Sequence, residues 1–105
     1  MVQIDLGAER LIAAEKGNKK IAVEIKTFGQ KSFINALYEA VGKYIIYRKA
    51  LQLKQSDRVL YLAMPEGVYE VYGEEPVIKG VIEDEKINIV LYQPESKTIK
   101  SWIEK

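Results

Sequence analysis

The sequence predicts a single α/β domain spanning residues 1–105, and three stretches carry that prediction. Residues 19–28 alternate: Ile21, Val23, Ile25 and Thr27 form one β-branched face, and Ala22, Glu24, Lys26 and Phe28 form the other. From Ser32 to Leu53 the apolar positions Phe33, Ile34, Leu37, Val41, Tyr44, Ile45 and Leu51 recur at spacings of three and four, the pattern of an amphipathic helix of about six turns. Residues 58–64 then form a near-continuous apolar run, as in a strand buried on both faces. Strand, long helix and strand make a βαβ unit, which requires parallel strands and a right-handed crossover.

The remaining elements follow in order. Val2–Leu6 is a short extended piece ending near Asp5 and Gly7. Residues 8–15 favour helix by intrinsic propensity, but Lys16-Gly17-Asn18-Lys19 is a turn signal leading directly into the next strand. A hairpin needs a strand before that turn, so residues 9–16 read as a strand antiparallel to 19–28. Ser32 is a suitable helix N-cap, and Gln55-Ser56-Asp57 ends the helix. Gly42 lies in mid-helix, where it costs about 1 kcal/mol relative to Ala and suggests close approach to the sheet. Beyond Pro65, short helices are expected over residues 68–72 and 76–85, then strands over 86–92 and 98–103, the last carrying Trp102.

Composition narrows the chemistry. The chain has neither cysteine nor histidine, which excludes disulfides, thiolate metal sites and the usual Ser–His or Cys–His nucleophile pairs. Catalysis, if present, must rest on carboxylates, lysine, tyrosine or an oxygen-ligated cation. No apolar run is long enough to span a membrane and the first residues do not resemble a signal peptide, so a cytoplasmic location is expected. Net charge is +1, but residues 1–55 hold ten Lys/Arg against five Asp/Glu (+5) and residues 56–105 hold six against ten (−4). A basic first half can face a phosphate backbone; ordinary surface charge explains the asymmetry equally well.

Asp5 and the Glu24-Ile25-Lys26 tripeptide form a D…ExK pattern. Two carboxylates on neighbouring strands can hold a divalent cation, which polarises a phosphate and acidifies a bound water, while the lysine orients that water or stabilises transition-state charge. The tripeptide alone is weak evidence, because Asp84/Lys86 and Glu95/Lys97 repeat its spacing in turn-like surroundings. Only Glu24 and Lys26 sit inside a β-branched strand. The bland reading is a cross-strand ion pair contributing about 0.2–1 kcal/mol. Glu15 is a further candidate ligand, but reads better as a strand-end charge. Lys43, Arg48, Lys49 and Lys54 along the helix can track phosphates, and Tyr44 and Tyr47 can stack on bases, although a solvated face and core packing are the commoner fates.

The segment Val2-Gln3-Ile4-Asp5-Leu6-Gly7-Ala8-Glu9-Arg10-Leu11-Ile12-Ala13-Ala14-Glu15-Lys16-Gly17, followed by Lys20-Ile21-Ala22-Val23-Glu24-Ile25-Lys26, closely resembles the XisH family, the fdxN-element excision controlling factors of cyanobacteria. The likeness continues through Tyr47-Arg48-Lys49-Ala50-Leu51, Leu60-Tyr61-Leu62-Ala63 and Val90-Leu91-Tyr92-Gln93-Pro94-Glu95-Ser96. The resemblance implies the PD-(D/E)xK, or restriction-endonuclease-like, fold: a mixed β-sheet with flanking helices. By position it implies Asp5, Glu24 and Lys26 as catalytic residues, Asp5 and Glu24 as ligands of Mg2+ or Mn2+, and DNA as substrate. It further implies a role in programmed DNA excision during heterocyst differentiation, alongside an XisI-like protein partner.

Three departures from the family pattern qualify this. Ile4 replaces a frequent proline, Lys43 stands where a glutamine is expected, and members usually begin with roughly thirty more residues forming a helix and a strand. Two functions follow as expectations: a metal-dependent nuclease, or a non-catalytic accessory factor that keeps the fold. Without a preceding strand, residues 9–16 are expected to be a sheet edge, and the chain is expected to form a homodimer.

Overall fold

The computed structural model describes the backbone of residues 2–6, 9–25 and 33–105, and the side chains of residues 11–24 and 34–105. A six-stranded mixed sheet runs in sequence order: β1 (Val2–Leu6), β2 (Glu9–Lys16), β3 (Lys19–Ile25), β4 (Val59–Pro65), β5 (Ile89–Gln93) and β6 (Thr98–Ile103). The central pairs β3/β4 and β4/β5 are parallel; β1/β2, β2/β3 and β5/β6 are antiparallel. Helix α1 (Phe33–Leu53) connects β3 to β4, and α2 (Glu66–Tyr72) with α3 (Pro76–Asp84) connects β4 to β5.

The expected βαβ unit and the hairpin at residues 9–28 are present, against the helical propensity of residues 8–15. Tertiary pairing overrides propensity here: the two-residue turn Gly17-Asn18 pairs Lys16 with Lys19, and Gly17 takes a φ of 63°, the first-position requirement of a type II′ turn. Residues 26–28 of the expected strand, including Lys26, lie outside the described residues.

Two crossovers of the same hand that step in the same direction along a sheet lie on the same face. The main core has this form. Leu37, Ala40, Tyr44, Tyr47 and Leu51 of α1, Val68 of α2, and Ile78 and Ile82 of α3 pack on Leu11, Ala22, Leu60, Leu62, Met64, Ile89 and Leu91 of the sheet. Ile21, Tyr61, Ala63 and Val90 form a smaller cluster on the other face, flanked by Ala14, Val23, Tyr92 and Trp102, with no helix among the described residues contributing. The β-branched face of β3 therefore serves the minor cluster, and the helices cover the Ala22 face, where a small residue leaves room for helix packing. β4 is buried on both faces, as its composition requires.

Three further expectations are corrected. β2 is not the sheet edge, because β1 pairs with its residues 9–13. The buried stripe of α1 includes Ala40 and Tyr47, while Ile45 and its neighbour Ile46 are exposed. Gly42 does not approach the sheet: a Cβ built there meets nothing within 4 Å.

Helix ends account for two unusual backbone angles. After α1, Ser56 N–H donates to Leu51 O and Gln55 N–H to Gln52 O, a Schellman motif with Gln55 at φ 56°. After α3 the same pair of bonds runs from Ile87 to Ile82 and from Lys86 to Glu83, with Lys86 at φ 53°. α3 begins with Pro76 in its first turn and the Glu75 carboxylate accepting from Ile78 N–H at 3.0 Å.

Candidate active site

Glu24 lies near the carboxyl end of β3, opposite Leu62 of the parallel strand β4. In parallel sheets, ligands gather beyond the carboxyl ends of the strands. Leu62 and its neighbour on β5, Ile89, belong to the helix-covered core, so the rung of Glu24 lies on the helix-bearing face. Glu24 is half-buried and interacts with other groups of the chain, so it is not an isolated charge. At the same end of the sheet a cavity of about 580 Å3 opens between α2 and the end of β5, lined by Pro65, Gly67, Val71, Tyr72, Gln93 and Glu95 among others.

The hairpin register decides which acids can share the face of Glu24. Asp5 pairs with Arg10. Gln3, two residues before Asp5, pairs with Ile12, which pairs with Val23. Because successive residues alternate between faces, Asp5 occupies a rung of the parity of Val23, the opposite of Glu24. Ile4 pairs with Leu11 and Leu6 with Glu9. Leu11 is fully buried in the helix-covered core, so the rung of Glu9 shares the parity of Glu24. The backbone thus brings Glu9, rather than Asp5, onto the rung set of Glu24. The sequence reading missed Glu9, although counting back from the two-residue turn gives its parity. Lys26 lies outside the described residues, and among the described residues no group of three or more acidic side chains is placed to hold a metal.

The other candidates are also located. Glu15 pairs with Lys20, four residues along β3 from Glu24 and about 13 Å away, so it does not join that site. Lys43 pairs with Glu39 at 3.3 Å across one helical turn; Lys49 and Lys54 are exposed. Arg48 donates to the Glu85 backbone carbonyl and pairs with the Glu85 carboxylate at 3.0 Å, so it fastens α1 to the end of α3. Tyr44 is 1% exposed; its hydroxyl donates to Leu60 O at 2.9 Å and accepts from Asn88 N–H at 3.1 Å. Burial pushes this hydroxyl's pKa up, opposed by the Asn88 bond and by Arg48. Tyr47 is also buried, so both tyrosines are core residues rather than base-stacking platforms. At the amino ends of the parallel strands, Arg48 and Arg58 line a second cleft of about 560 Å3. Arg58 is likewise structural, donating to the carbonyls of Ala14 at 3.1 Å and Ile21 at 3.0 Å. No helix among the described residues is long and apolar enough to cross a membrane.

Comparison with known proteins agrees with this architecture. Two solved structures superpose on the chain. One is a fdxN element excision controlling factor protein from Anabaena variabilis, 37% identical, with a TM-score of 0.85, covering 98% of this chain and 82% of its own. The other is an XisH family protein from Nostoc punctiforme PCC 73102, 37% identical, with a TM-score of 0.84, covering 98% and 83%. No curated protein matches significantly. The family model described as XisH protein matches residues 1–100. With nearly the whole chain matched in sequence and in fold, the protein belongs to the XisH family.

Proposed function

We propose that this protein processes DNA in the excision of a chromosomal element, working by metal-dependent phosphodiester hydrolysis at the Glu24 end of β3. The observation that carries this reading is a half-buried glutamate on the helix-bearing face, at the carboxyl end of a parallel strand, in a chain of the excision controlling factor family. Glu24 and one acid of the β1–β2 hairpin would hold Mg2+ or Mn2+, and Lys26 would face the scissile phosphate. The resemblance nominates Asp5 as the hairpin acid; the register favours Glu9. A carboxylate pair fits a hard cation in the absence of histidine and cysteine. When bound, the metal would supply Lewis-acid polarisation of the phosphate and an acidified water.

Incubation with supercoiled and linear DNA in Mg2+ or Mn2+ tests the reading. Cleavage is expected, with its loss in Glu24→Gln and Lys26→Ala while DNA binding persists. Asp5→Asn and Glu9→Gln then identify the hairpin acid. DNA binding should weaken steeply with salt, because a chain of net charge +1 can contact phosphates only locally, through the lysines of its more basic first half.

The opposite parity of Asp5 and Glu24 favours a second reading: an accessory factor that has kept the nuclease fold and acts in the cytoplasm through an XisI-like protein partner. No cleavage with either metal, together with partner binding that survives Glu24→Gln, would establish it.

A further inference from the structure

α1 has two apolar sides. One packs on the sheet through Leu37, Ala40, Tyr44, Tyr47 and Leu51. The other faces solvent: Tyr38 is 57% exposed, Ile45 37%, Ile46 66% and Leu53 78%. Gly42 and Lys49 fall on the same outer stripe at helical spacing. A surface helix normally carries one apolar face, and a second one marks an interface.

Gly42 is the second observation. It lowers helix stability, yet nothing among the described residues requires it, since an added Cβ there meets none of their atoms within 4 Å. A residue without a side chain on the outside of a long helix is explained when another helix crosses there.

From these features we infer that α1 pairs antiparallel with α1 of a second copy, about a two-fold axis passing between Ile45 and Ile46. The stripe is self-complementary about that point. Ile45 and Ile46 meet their own counterparts at the axis, Tyr38 shares a layer with the partner's Leu53, and Gly42 shares a layer with the partner's Lys49. The missing side chain at Gly42 gives the partner's Lys49 stem a channel across the seam toward Glu39, one helical turn away. Lys49 is the one charged residue in the stripe. A lone polar residue in an apolar helix seam fixes alignment at some cost in affinity.

A two-fold contact uses the same patch on both copies, as this stripe allows. The seam runs about 23 Å from Tyr38 to Leu53, some two-thirds of the longest dimension of the molecule, 34 Å. A single helix pair lies at the small end of specific interfaces, near roughly 1,200 Å2 in total, so the dimer is weak and reversible. This inference goes beyond the DNA-processing reading and does not depend on it.

Sedimentation velocity in the micromolar range tests it. The protein should show a concentration-dependent monomer–dimer equilibrium. Ile46→Glu and Gly42→Leu should each weaken it by roughly tenfold or more. Gly42→Leu is the sharper probe. Open space around Gly42 predicts an unchanged or raised Tm for the protomer, so lost dimerisation cannot be attributed to misfolding. Because the chain has no cysteine, oxidation of Ile46→Cys should give a covalent dimer. Tyr38→Cys alone should not, and Tyr38→Cys combined with Leu53→Cys should. A monomer at all concentrations overturns the proposal. So does a dimer indifferent to both Ile46→Glu and Gly42→Leu, which would assign association to another surface such as the helix-free sheet face.

Discussion

The hydroxyl of Tyr61, in the middle of β4, donates a hydrogen bond to the carboxylate of Glu104, just beyond β6. Glu104 also accepts from the Lys16 amino group at 2.9 Å, and Lys16 in turn sits 5.1 Å from the centroid of the Trp102 ring. Trp102 meets Tyr61 edge to face, with centroids 5.2 Å apart. The end of the chain is thereby tied to β2 and β4, across the one sheet face that no described helix covers. Lys105 N–H adds a bond to the Asn88 side chain at 2.9 Å.

This latch makes stability depend on acid pH. The Tyr61 hydrogen bond, then the one from Lys16 and its positive charge, hold the Glu104 carboxyl down at about 2. A carboxyl whose pKa is lower in the folded chain stabilises the fold above its unfolded value, near 4.3, and loses that contribution as pH falls toward the folded value. The wild-type Tm should therefore drop between about pH 5 and pH 2 more steeply than that of Glu104→Gln, which should already be lower at neutral pH. Solvent screening keeps the effect small, and added salt should shrink it. Tm curves of the two proteins that run parallel through this window would show that the latch does not contribute.

Tyr44 bridges two elements through a single buried oxygen. Tyr44→Phe leaves Leu60 O with only the longer 3.3 Å bond from the Asn88 side chain, and leaves Asn88 N–H without its side-chain acceptor. Under-satisfied buried polar groups cost about 1–3 kcal/mol, so urea unfolding should show a loss of that order with an unchanged m-value. A loss below about 0.5 kcal/mol would mean that water replaces the hydroxyl.

Gln55 occupies a left-handed conformation that costs a non-glycine residue about 1–2 kcal/mol. Gln55→Gly should stabilise the protein by roughly 0.5–1 kcal/mol, while Gln55→Ala should not. Equal effects of the two substitutions, measured by chemical unfolding, would indicate that the Schellman geometry relaxes in solution.

The sequence by itself determined the order and type of the elements. Apolar spacing in α1, the unbroken apolar run of β4 and the two-residue turn at Gly17-Asn18 are local signals, and each has one geometric solution. That turn even fixes the pairing register of β2 with β3, from which the shared parity of Glu9 and Glu24 follows by counting. Alternation along β3 alone could not say which of its two faces the helices cover. Only the crossover topology put them over Ala22 and Glu24 rather than over the more β-branched Ile21 and Val23. Nor could helical period separate Tyr47, buried on the sheet, from Ile46, left in solvent, because α1 is apolar around most of its circumference. In the sequence Arg48 reads as a cationic group along the helix, Tyr44 as an apolar helix position and Arg58 only as the first residue of an apolar strand. The tertiary structure turned them inward or across to other elements, where the backbone carbonyls of Leu60, Glu85, Ala14 and Ile21 supplied partners that no local pattern encodes.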